Sequence, residues 1–103
     1  MINEVRLEGT IKDAAVIPRR DQSKTPGRRF TVAVPCGNVH DYYNCTAWDE
    51  AATQAMQFRE GDQVLVSGRL RVDCWKDSKS GESRRRVGIA VDSVTAAGDS
   101  EVF

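Results

Sequence analysis

The chain has 103 residues, 40% hydrophobic and 29% charged, with 15 basic and 15 acidic side chains and a formal net charge of zero. That length suits one domain with a modest core, and no apolar run approaches the roughly 18 residues of a membrane-spanning helix. The opening MINEVRLEGTIKD has charges where a secretory segment is apolar, and the three cysteines are odd in number and scattered. A cytoplasmic location is therefore expected and a disulfide framework is not.

VRLEGTI (5–11) alternates Val5, Leu7, Gly9 and Ile11 with Arg6, Glu8 and Thr10, the period of a half-buried strand, and a continuation toward Ile17 is open. PRRDQSKTPGRR (18–29) is turn-rich, with Pro26-Gly27 marking a tight turn. RFTVAVPC (29–36) reads as a second strand with Phe30, Val32 and Val34 on one face, and CGNVHD (36–41) as a short loop. YYNCTAW (42–48) is a third strand. Its period puts Tyr42, Asn44, Thr46 and Trp48 on one face and Tyr43, Cys45 and Ala47 on the other.

At DEAATQAMQFREGD (49–62) the period changes to that of a helix of about three turns, with Asp49 as N-cap, Glu50 in the first turn and Gly61 at C′. Ala52, Ala55, Met56 and Arg59, with Ala51 and Phe58 alongside, form the stripe that caps a core. DQVLVSGRLRVDCW (62–75) returns to period 2. Val64, Val66, Gly68, Leu70, Val72 and Cys74 face one way, and Gln63, Leu65, Ser67, Arg69, Arg71, Asp73 and Trp75 the other. KDSKSGESR (76–84) is a polar hairpin tip, and RRVGIAVDSV (85–94) a fifth strand with Val87, Ile89 and Val91 as its apolar face. One domain over 1–95 is followed by a short acidic tail over 96–103.

The order β-β-β-α-β-β is that of an all-β OB-fold, a five-stranded Greek-key barrel with one helix between strands 3 and 4. Ligands of that fold lie on strands 2–3 and on the loops joining strands 1–2 and 4–5. Those loops coincide with two basic windows. Residues 19–29 hold five basic side chains against one acidic, and residues 69–86 seven against three, each a net +4 on a remainder of −8. A local basic footprint suits a polyanion, although charged hairpin tips also serve solubility.

Trp48, Trp75 and Tyr42 all project from the polar side of their strands, and Trp75 shares its face with Arg69 and Arg71. Rings mixed with cations suit single-stranded nucleic acid, because every unpaired base has a face to stack and arginine binds phosphate. The residues expected to bind it are Tyr42, Trp48, Trp75, Arg69, Arg71, Lys76, Arg28, Arg29, Arg84 and Arg86. The competing reading puts a tryptophan in the core or a subunit interface after a bulge, and a one-residue slip exchanges Tyr42 with Tyr43.

INEVRLEGTI, RFTVAV and the run from YYNCTAW through GRLR (68–71) and Trp75 to VDSV together resemble the bacterial single-stranded DNA-binding protein family over residues 2–94. The resemblance implies an OB-fold, homo-oligomers (tetramers or dimers) and sequence-independent binding of single strands in replication, recombination or repair, in the cytoplasm at the nucleoid. It places Tyr42, Trp48 and Trp75 at base-stacking positions and Arg69, Arg71 and Lys76 in the basic path. CGNVHD is shorter than the aromatic-bearing hairpin of many members. The ending GDSEVF, with Asp99, Glu101, Val102 and Phe103, reads either as a shortened tip that docks replication or recombination proteins or as a frayed end. A primosomal replication protein N-like accessory OB protein and a protein-binding OB adaptor are the alternatives.

Cys36, His40, Cys45 and Cys74 lack the tight pairs of a zinc site, and Cys45 and Cys74 share the apolar parity of their strands. No phosphate loop, dinucleotide fingerprint or nucleophile motif occurs, so neither an enzyme nor a cofactor is expected.

Overall fold

The computed structural model describes residues 1–21 and 23–97. Five strands, β1 (Val5–Ile17), β2 (Gly27–Cys36), β3 (Val39–Ala47), β4 (Gln63–Lys76) and β5 (Ser83–Ala96), close into a barrel in the order β1-β2-β3-β5-β4. Helix α1 (Asp49–Ala55) lies between β3 and β4. All neighbours are antiparallel except β3 and β5, which pair in parallel through Cys45–Ile89 and Thr46–Ala90. This is the OB-fold read from the sequence.

Closure depends on β1, which pairs with β4 over Val5–Thr10 and with β2 from Thr10 onward. To serve both neighbours it bends at a bulge between Lys12 and Ala15, where Asp13 takes φ 50 and its N–H donates to Glu60 Oε1 at 2.9 Å. Gly9 faces inward against the Ala33 carbonyl, a closeness that leaves no room for a side chain. The core consists of Ile11, Phe30, Val32, Cys45, Ala47, Val64, Val66, Ile89, Val91 and Val94, with Ala51, Ala52 and Ala55 of α1 closing one end. Alternation along each strand supplies these residues from one face, and in β5 the register shift between Val91 and Ser93 returns Val94 to the core side, which is why they converge.

Several elements differ from the sequence expectation. The helix stops at Ala55, not near Gly61: Gln57 and Phe58 donate back three residues, and the Gly61 N–H and Asp62 C=O pair with Ile11 of β1 at 2.9 Å. Docking this loop on β1 takes the residues that helix propensity alone would have kept helical. Gly61 has φ 96, but as a loop residue. Asp49 is not the N-cap. Trp48 holds that position without a side-chain cap, and the chain turns out of β3 at Asp49 with φ 57. Residues 36–41 are not a loop: β2 and β3 pair out to Cys36–Val39, leaving only Gly37-Asn38 as the turn. β5 reaches Ala96, and Ala97 N–H donates to Gln63 C=O at 3.1 Å, so the barrel runs past residue 95.

The largest difference lies in β4 and β5. β1 leaves β4 at Gly68 and β3 does not pair with β5 before Ile89, yet β4 and β5 stay paired out to Lys76–Ser83. The hairpin therefore leaves the barrel as a two-stranded arm. Leu70, Val72 and Val87 share the core parity but stand in the open, 52%, 45% and 61% exposed. Cys74, expected to be buried with them, is exposed for the same reason, whereas Cys45 is fully buried.

Candidate nucleic-acid interface

The pairing of β2 with β3 runs without a slip from Arg28–Ala47 to Cys36–Val39. Tyr42 therefore stands on the Asn44, Thr46 and Trp48 side, outside the barrel, with Tyr43 on the other. Arg29 and Thr31 share that outer wall, because they oppose Thr46 and Asn44. On the arm, Arg71 opposes Gly88, Asp73 opposes Arg86 and Trp75 opposes Arg84, so all project from one face.

The two surfaces meet in an open groove of about 560 Å³. Its walls include Arg29, Thr31, Asn44, Thr46 and Trp48 from the barrel, Arg71, Asp73 and Arg86 from the arm, and Asp13 and Ala15 from the β1 bulge. Trp75 and Arg84 continue the arm's groove-side face roughly 7 Å further out, two strand residues beyond Asp73. Trp48 and Trp75 are 37% and 43% exposed, so neither indole is a core residue.

Each indole carries a guanidinium. Arg19 Cζ lies 4.7 Å from the Trp48 ring centroid, and Arg86 Cζ lies 5.3 Å from that of Trp75. Four arginines also meet carboxylates: Arg19–Asp49 at 3.1 Å, Arg84–Asp77 at 3.2 Å, Arg71–Asp73 at 3.4 Å and Arg69–Asp92 at 3.9 Å. Arg29 and Arg86 have no such partner among the described residues. Exposed pairs of this kind contribute about 0–1 kcal/mol, so they hold the arginines only weakly. At the arm's tip, Asp77 accepts from the Lys79 N–H at 2.8 Å and from Arg84 Nε at 3.2 Å. Its carboxyl is held below the ordinary range chiefly by the Lys79 amide.

A groove lined by an exposed indole, hydroxyls, an amide and cations is chemically suited to a chain of bases and phosphates. The family model for the single-strand binding protein family matches residues 2–97. The chain belongs to that family. A relative in Borreliella burgdorferi (strain ATCC 35210 / DSM 4680 / CIP 102532 / B31), a single-stranded DNA-binding protein, is 33% identical over 54 residues. The matched stretch is 52% of this chain and 36% of the relative's length.

Within this family member, the groove brings together Trp48, Arg29, Arg71 and Arg86 of the residues expected from the sequence. Trp75 and Arg84 extend the same face. Tyr42 is on the outer wall but farther along β3, opposite Ala33 and 64% exposed. Arg69 is on the groove-side parity of β4, nearer the barrel, and lines a smaller recess with Asn3, Leu70, Arg71 and Ala90. Lys76 ends β4 on the opposite parity from Trp75. Arg28 departs most from expectation: it opposes Ala47, shares the parity of Phe30, and is half-buried at the barrel's end, outside the groove. The tail positions Asp99, Glu101, Val102 and Phe103 lie outside the described residues.

Sequence reasoning missed Thr31 and Arg19. The parity of β2 gives Thr31 away once Phe30 is known to face inward. Arg19 falls in the basic window of residues 19–29, but its contact with Trp48 joins residues far apart in the chain and leaves no local signal. No cluster of three metal-ligating side chains occurs among the described residues.

Proposed function

We propose that the chain binds single-stranded DNA without regard to sequence and without catalysis. Bases stack on Trp48, Trp75 and Tyr42, while Arg29, Arg71, Arg86, Arg69 and Arg84 meet phosphates and Lys76 and Arg28 add positive potential at the margins. The observation that carries this reading is the continuous wall on which Trp48, three arginines and then Trp75 follow one another from the barrel onto the arm. Thr31, Asn44 and Thr46 on the groove floor offer hydrogen bonds to base edges or sugars, too few and too adaptable to read a sequence. The family match supports the same ligand and a role in covering single strands during replication, recombination or repair, at the nucleoid of the cytoplasm. Copies associate as a dimer or tetramer, and the exposed strip Leu70, Val72 and Val87 on the arm's far face supports this, since such surface is seldom left in water.

Titration with oligo(dT), duplex DNA and RNA at several salt concentrations tests the reading. Oligo(dT) is expected to quench tryptophan emission and duplex DNA to bind far more weakly. The logarithm of affinity is expected to fall with log[salt] at about 0.7 per neutralised phosphate. Unchanged emission together with a flat salt profile refutes it.

A further inference from the structure

Trp48 is a stacking platform that is already occupied. Stacked aromatic partners have centroids about 4.5–7 Å apart, and the Arg19 guanidinium carbon sits in that shell at 4.7 Å. The guanidinium is held there by the Asp49 carboxylate at 3.1 Å, and the Arg19 side chain is only 21% exposed. The ring has no free retreat on the side of Gly27, where the space of a Cβ is filled by the indole. Trp75 differs. Arg86 lies over it at 5.3 Å but has no carboxylate partner among the described residues.

We infer that Arg19 is a further nucleotide-binding residue: in the free protein it holds the place of a base on Trp48, latched by Asp49, and on binding it exchanges that carboxylate for a phosphate. The inference rests on the proposed single-strand binding. No covalent step is involved. The guanidinium keeps its charge throughout, passing from one oxyanion to another, and arginine's planar fork fits both. The exchange uncovers the indole and adds a phosphate contact, so one movement provides both a stacking face and a cation. Asp49 also repels a phosphate near Trp48 until Arg19 has left it, so the Trp48 subsite engages after the unlatched Trp75.

A double-mutant cycle tests the latch, using anisotropy of a labelled oligo(dT). Asp49→Asn suits the purpose, because asparagine tolerates the φ of 57 at this position and the fold is kept. Loss of an exposed ion pair predicts two- to fivefold tighter binding than Glu50→Gln, the neighbouring charge change that touches no latch. In an Arg19→Ala background the same Asp49→Asn change is expected to do no more than Glu50→Gln. Arg19→Ala alone lowers the salt slope by about 0.7, one phosphate contact. With Trp75→Phe leaving Trp48 as the reporter, Arg19→Ala also raises iodide quenching of the free protein. An Asp49→Asn gain that persists undiminished without Arg19, or an unchanged salt slope in Arg19→Ala, overturns the latch while leaving single-strand binding intact. Failure of the unmutated protein to bind oligo(dT) overturns the parent reading, and the latch with it, before any variant is compared.

Discussion

Gly27→Ala separates what Trp48, with the Arg19 guanidinium stacked on it, contributes to binding from what it contributes to folding. An alanine Cβ at 27 would lie 2.5 Å from Trp48 Cζ3, 2.6 Å from Cε3 and 2.9 Å from Cη2. Carbon atoms pack at about 3.5–4.0 Å, so the ring must move by roughly 1 Å. Gly27 is a strand residue outside the positive-φ set, so alanine fits its backbone. The atoms it strikes belong to a side chain more than a third exposed and not to backbone, so the indole yields toward solvent and the Arg19 guanidinium over it shifts with it. The folding cost therefore sits at the low end of the about 1–3 kcal/mol typical of overpacking, offset by the about 0.4–1 kcal/mol that alanine gains through the unfolded chain. Binding suffers more. A stacked base is worth about 1–3 kcal/mol, and a platform tilted off its site forfeits at least the lower figure, about fivefold in Kd. Fluorescence anisotropy with oligo(dT), thermal unfolding and tryptophan emission together make the assay. The expected result is a Tm within a few degrees of the parent protein, shifted emission and weaker binding. Shifted emission with unchanged Kd would refute the stacking role of Trp48.

Trp75→Ala is expected to weaken oligo(dT) binding by about 1–3 kcal/mol with little change in Tm, since Trp75 lies on an arm outside the core; unfolding of the domain would contradict this placement. Gly68→Ala is expected to do the reverse. Its Cβ would run into the Ala90 backbone carbonyl on the paired strand, which cannot swing away, so urea unfolding is expected to show a loss of about 3 kcal/mol or more. For the thiols, Cys36 and Cys74 are exposed while burial pushes Cys45 up to about 12. At pH 8 two cysteines are expected to react quickly with a thiol reagent and the third only on unfolding; three fast reactions would mean the barrel interior is open. The raised Cys45 value also sets an alkaline limit: its contribution to stability is complete below the ordinary 9.0 and is lost as pH climbs toward about 12.

Much of the wall was legible in the sequence, because side-chain direction in a strand is a local property. Placing Phe30, Cys45 and Val64 inward assigns Arg29, Thr46 and Trp48 outward with no knowledge of neighbouring strands. The same reasoning misjudged Leu70, Val72 and Cys74. Parity states which residues share a face, but whether anything covers that face depends on where other strands end. β1 ends its pairing with β4 at Gly68, and beyond it the apolar parity of the arm meets water. Helix length failed for a related reason: Met56, Gln57, Arg59 and Glu60 have good propensity, yet the two hydrogen bonds that Gly61 and Asp62 make with Ile11 outweigh the few tenths of a kcal/mol each that helix preference offers.

By itself the sequence determined the order of the elements, the alternation that builds the barrel core and the side from which each tryptophan projects, since these follow from backbone periodicity over a few residues. Only the tertiary structure decided that the arm stands clear of the barrel, that Arg28 leaves the groove, and that Arg19 comes to rest on Trp48 beside Asp49. Those outcomes depend on which distant segments meet, and a meeting between residues 19 and 48 leaves no trace in the local pattern of either.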